Sequence, residues 1–119
     1  MTNELADSVY TVLSGLHTRV YRNDAPKGPT FPYVVYRVAS GSDSYPTSDY
    51  RVDVKIYELN NGTVSMRTIE ALGDSIDAAL NTKVIGTKYH FTKDLRQFDD
   101  DEMLEGVAYV NLQYTVRVY

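Results

Sequence analysis

The chain has 119 residues, a net charge of −4 and no cysteine; by length it is one domain, burying roughly two-thirds of its unfolded surface on folding. Without thiols it can form no disulfide, thiolate metal site or thiol nucleophile, which fits a reducing compartment. An acidic chain with a pI ≈ 5.0 lacks the basic face that general phosphate binding requires, so a nucleic-acid binder is not expected.

From Asn3 the apolar residues Leu5, Val9, Val12, Leu13 and Leu16 recur at three- and four-residue steps, which predicts an amphipathic helix ending by Thr18. Thr2 or Asn3 can cap it, Glu4 and Asp7 suit its positive end, and His17 and Arg19 its negative end. The segment Val20 to Pro32 holds three prolines and a glycine. Proline removes an amide donor, so this segment is expected to cross the surface outside the sheet. Tyr33 to Ala39 reads as a strand, and Ser40 to Thr47 as a wide loop or arm.

Ser48 to Leu59 is the least ambiguous stretch. Tyr50, Val52, Val54 and Ile56 alternate with Arg51, Asp53 and Lys55, the pattern of a strand with one buried and one open face. Asn60-Asn61-Gly62 makes a turn before Met66, Ile69, Leu72, Ile76, Ala79 and Leu80, whose spacing predicts a second helix, capped by Thr63 or Ser65 and ending near Asn81. Gly73 inside it can let the helix lie close to the sheet. Thr87 to Phe98 alternates weakly, as an irregular strand would; Asp99-Asp100-Asp101-Glu102 should be solvated. From Val107 to Tyr119 period two returns, with Val110, Leu112, Tyr114, Val116 and Val118 on one face and Tyr109, Asn111, Gln113, Thr115 and Arg117 on the other. The class is therefore α+β, a mainly antiparallel sheet of about four strands with two helices on one face, in the order α-β-β-α-β-β.

Chemistry is sparse. Neither His17 nor His90 has a neighbour at metal-ligand spacing, so no metal or cofactor is expected. The acidic run from Asp94 to Glu105 lacks the order of an EF-hand loop and reads as a solvated loop or a partner contact. No phosphate-binding glycine motif or nucleophile elbow is present, and Asp49, Asp53 and Glu58 are the charges that a wet strand face carries anyway. A non-enzymatic protein is expected. Eleven tyrosines against three phenylalanines suit half-buried sheet faces and subunit contacts. Arg51, Asp53, Lys55, Tyr57, Arg117 and Tyr119 gather on the second sheet face, as an exposed surface or as subunit packing.

No apolar run approaches the roughly 20 residues that span a bilayer, and Met1 to Asp7 does not read as a signal peptide; synthesis in a cytoplasm is the expectation. Taken in order, the N-terminal helix running into Thr18-Arg19-Val20-Tyr21, the segment Phe31-Pro32-Tyr33-Val34-Val35-Tyr36, and Arg51-Val52-Asp53-Val54-Lys55-Ile56-Tyr57 followed by the Met66 to Leu80 helix resemble the tail-completion (tail-terminator, or head-to-tail joining) proteins of long-tailed bacteriophages and prophages. The resemblance implies a virion protein with no catalytic residues, a ring of usually six subunits at the head-proximal end of the tail. Such a ring halts tube growth and offers a surface to the head connector; it surrounds the DNA channel without reading DNA. Its partners would be further copies of itself, the tail-tube protein and the head connector. Ser42, Asp43, Tyr45, Asp99, Asp100, Asp101 and Glu102 would then reach toward tube or connector. Alternatives are another neck component or a monomeric ligand-binding module, which a deep apolar pocket would mark.

Overall fold

The computed structural model describes residues 2–25, 30–44, 47–59, 63–81, 84–85, 89–100 and 106–118. In chain order these form α1 (Thr2–Ser14), β1 (Val20–Arg22), β2 (Tyr33–Ser44), β3 (Thr47–Leu59), α2 (Thr63–Leu80), β4 (Val84–Ile85), β5 (Tyr89–Asp100) and β6 (Val107–Val118). The strands make one sheet in the order β1-β2-β3-β6-β5-β4, antiparallel except where β1 runs parallel to β2. The fold is α+β with a mostly antiparallel sheet, but the sheet has six strands instead of about four, and the order becomes α-β-β-β-α-β-β-β.

The sheet's inner face follows from alternation. Val34 and Tyr36 of β2, Val52, Val54 and Ile56 of β3, and Val110, Leu112, Tyr114 and Val116 of β6 are buried in one cluster with residues of both helices. Helix α1 buries Leu5, Ala6, Val9 and Leu13 over β1 and β2; α2 buries Ile69, Ile76 and Leu80 over β3, β6 and β5. Leu16, expected on the apolar stripe, is 39% exposed, because the helix stops at Ser14 and the amides of Leu16 and His17 both turn back to the Leu13 carbonyl.

Three expectations need correction. Val20–Arg22 joins the sheet as β1, since its prolines come later: Val34 N–H donates to Arg19 O at 2.9 Å, Asn23 N–H donates to Tyr36 O at 2.8 Å, and Val20 is buried. The stretch Ser40 to Thr47 is mostly strand, β2 reaching Ser44 and β3 starting at Thr47, with a register shift between Ser40 and Asp43. Pairing with β3 outweighs the weak strand preference of Ser and Gly. Asp99 and Asp100 end β5 opposite Tyr109 and Ala108, with Gly106 just before β6 at φ +76°, a backbone angle that favours glycine.

Polar clamps hold α2 on the sheet. Asp77 accepts from Tyr114 Oη at 2.9 Å and from Lys93 Nζ at 3.1 Å, and Asp74 accepts from Arg96 Nη1 at 2.6 Å. Gly73 lies against these groups: a Cβ there would sit 3.4 Å from Arg96 Nη2 and 3.7 Å from Ile56 Cδ1.

Candidate assembly surface

The odd-numbered residues 33–39 of β2, 51–57 of β3 and 109–117 of β6 turn away from the helices; most are exposed or half-buried, while Tyr33 and Val35 are buried. Register sets them in rows across the strands: Tyr33, Tyr57 and Tyr109; then Val35, Lys55 and Asn111; then Arg37, Asp53 and Gln113; then Ala39, Arg51 and Thr115.

One end of this face is aromatic. Tyr33 stacks on Tyr57 with centroids 5.0 Å apart and planes at 17°, Tyr57 meets Tyr109 at 5.6 Å, and Tyr21 and Phe31 flank Tyr33 at 6.3 and 5.2 Å. Each such pair adds about 0.5–1.5 kcal/mol beyond area burial, and these neighbouring rings bury Tyr33. His17 Nε2–H and Arg19 Nε–H both donate to Pro32 O at 2.9 Å, so the helix end pins the segment that carries Phe31. Lys55 Nζ lies 5.1 Å from the Tyr109 ring centre, a cation–π contact.

The other end is polar. Arg51 Nε–H donates to Asp53 Oδ1 at 3.1 Å, Thr115 Oγ1–H donates to the Asp94 carboxylate, and Asp49 stands opposite Arg117. Asn111 Oδ1, between the two ends, is buried without a hydrogen-bond partner among the described residues. Among the described residues no three His, Asp or Glu side chains converge as a metal site requires, and no helix is long and apolar enough to cross a membrane.

A sequence profile of the family described as Tail completion protein gp17 matches residues 5–118. The chain belongs to this tail completion family. Among solved structures, a chain from the virion of a native gene transfer agent (GTA) particle is similar at a TM-score of 0.70 and 20% identity, over 96% of this chain and 93% of that one. A second solved chain is similar at a TM-score of 0.68 and 12% identity, over 100% of this chain and 96% of that one. At these identities the likeness concerns the fold. No curated protein matches in sequence.

In this tail completion chain the expected interface residues Arg51, Asp53, Lys55, Tyr57 and Arg117 fall on one open face; Tyr119 lies outside the described residues. Ser42 and Asp43 sit near the β2–β3 turn, whereas Asp99 and Asp100 sit at the β5–β6 end. Ser48 pairs with Val118 and Leu59 with Val107, so these two groups lie at opposite ends of the strands, roughly 35 Å apart for strands of this length. Tyr45, Asp101 and Glu102 lie outside the described residues. The expected interface residues omit Tyr33 and Tyr109, two of the ladder's three rings, and the flanking Tyr21 and Phe31. Period two alone would have shown that Tyr33 shares its face with Arg37, but not that three strands align their rings in one row.

Proposed function

We propose that the chain is a non-enzymatic virion protein that closes the head-proximal end of a phage-type tail tube as an oligomeric ring of six copies, ending tube growth and offering the head connector a docking surface. The observation that carries this reading is an open sheet face bearing an aromatic ladder in a member of the tail completion family. Large rings with polar tips are what protein contacts use at their centres. Arg51, Lys55, Tyr57 and Arg117 are assigned to contacts inside the assembly. Ser42 and Asp43 at one end of the strands, and Asp99 and Asp100 at the other, suit axial partners, one group for the tube and one for the connector.

Six copies at −4 each carry −24, a self-repulsion that favours a partner surface of opposite charge. A ring assembled in the host cytoplasm and retained in the virion is the expected life history. The test is light scattering of the purified protein across concentration, with electron microscopy of tail tubes grown in its presence. Ring-sized particles and tubes capped at one end are expected; a protein that stays monomeric and leaves tube length unchanged would refute the reading.

A further inference from the structure

We infer that copies of this chain join edge to edge, the outer edge of β2 in one copy pairing antiparallel with the outer edge of β5 in the next. The inference rests on the ring reading and names the joint that closes the ring.

Both sides of the sheet end in long strands that their short neighbours cover only in part. β1 pairs with Val34 to Tyr36 of the twelve-residue β2, and β4 with Tyr89 and His90 of the twelve-residue β5. Val34 turns its N–H, and Tyr36 its carbonyl, toward β1. By alternation Val38 and Ser40 present backbone groups to the same side, where no described strand lies. On β5 the outward Lys93 N–H is taken by Asn81 Oδ1 at 3.0 Å; from Leu95 to Asp100 no described strand lies outside. Leu95 and Phe98, each 37% exposed, stand on that uncovered stretch. A row of edge backbone with no described strand beside it, flanked by apolar side chains, is a template for another strand.

Three features make the second strand another copy. The long strands β2, β3, β6 and β5 alternate in direction and are even in number. Repeating them by rotation alone therefore brings β5 beside β2 antiparallel, continuing the pattern without a break. The joint is also heterologous, the kind that closes rings. Finally, the free stretch of β2 lies toward the Ser48–Val118 end and that of β5 toward the Leu59–Val107 end. Joining them slips successive copies by about six residues, roughly 20 Å, over four strands roughly 19 Å wide. That slope is roughly 45°, at the upper end of the tilt that closed barrels require. The register shifts in β2 and β5 raise local twist, as bulges at barrel rims do. This joint closes the ring along the sheet edges and leaves the open face to other contacts inside the assembly.

The test uses Ser40→Pro, which removes an outward N–H from an edge where proline is tolerated, with Ser40→Ala as control and Phe98→Lys on the other edge. Light scattering should show Ser40→Pro and Phe98→Lys at least tenfold weaker in assembly, with wild-type circular dichroism and melting, and Ser40→Ala unchanged. Hydrogen exchange on wild type should show the outward amides Val38, Ser40, Arg96, Phe98 and Asp100 protected in the assembled form and rapidly exchanging in dilute monomer. A wild type that assembles with those amides unprotected, or edge variants that assemble normally, overturns the edge joint and leaves the ring reading standing. A wild type that never assembles overturns both.

Discussion

Tyr114 shows how one buried side chain ties α2 to the sheet. Its hydroxyl donates to Asp77, which also takes Lys93, and burial first, then that hydrogen bond, push its pKa well above the ordinary tyrosine value. Below about pH 10 the ring is neutral whether the chain is folded or not. Above it the unfolded chain releases the proton while the folded chain keeps it, so stability falls as pH rises, by up to about 1.4 kcal/mol per unit. Tyr114→Phe should cost about 1 kcal/mol at pH 7, a melting shift of about 4 °C, and in urea unfolding its deficit against wild type should shrink between pH 10 and 11. An unchanged deficit would show that Tyr114 does not titrate with unfolding. Gly106 makes a different case. Its φ of +76° is strained for any side chain although nothing lies within 4 Å of an added Cβ, so Gly106→Ala should lose about 1 kcal/mol in chemical denaturation.

At the scale of elements, α2 is held by a stripe of large apolar residues and by polar clamps. Ile76 is fully buried in the common cluster, and Ile76→Ala should cost about 2–5 kcal/mol, because lost transfer energy and a residual cavity add. Gly73 does not need to be glycine. A Cβ at 3.4 Å from Arg96 Nη2, the end of a long side chain, and 3.7 Å from Ile56 is at contact distance, so Gly73→Ala should raise stability by about 0.5–1 kcal/mol through helix propensity, whereas Gly73→Leu should lower it; thermal unfolding distinguishes these. The elements were legible where one face is wet. β3, β6 and both helices were read from periodicity, because burial on one side sorts side chains by polarity. β1 and β4 were not, since two or three residues hold no period, and the Ser-Gly-rich end of β2 is a strand only because β3 lies beside it.

At the scale of the whole molecule, β3 and β6 are paired on both sides over most of their length, while β1 and β4 are short edge strands. Amides of β3 and β6 should therefore exchange only through global opening, and those of β1 and β4 through local fraying, orders of magnitude faster at neutral pH. Equal protection across the six strands would contradict the strand order. The same order puts the acidic and hairpin groups at opposite ends of the strands and the ladder on a single face, so the strand ends and the open face are separate surfaces. Arg51, Asp53, Lys55 and Tyr57 were placed together by counting alone, because residues two apart on a strand share a face; Arg117 joins them only because β6 lies beside β3. Their aromatic neighbours Tyr33 and Tyr109 come from strands 24 and 52 residues from Tyr57 by sequence number, a distance that no local pattern bridges.

Alternating polarity in β3 and β6, the helical spacing in α1 and α2, and the family's phrases around Pro32 and Arg51 are carried by the chain itself, because each is a local rule about which side of an element meets water. Tertiary structure alone decided the neighbour relations: that β6 lies beside β3, that Val20–Arg22 pairs with β2, and that the outer edges of β2 and β5 lie open in opposite halves. Those depend on contacts between segments distant in sequence, whose free energy is set by the packed whole.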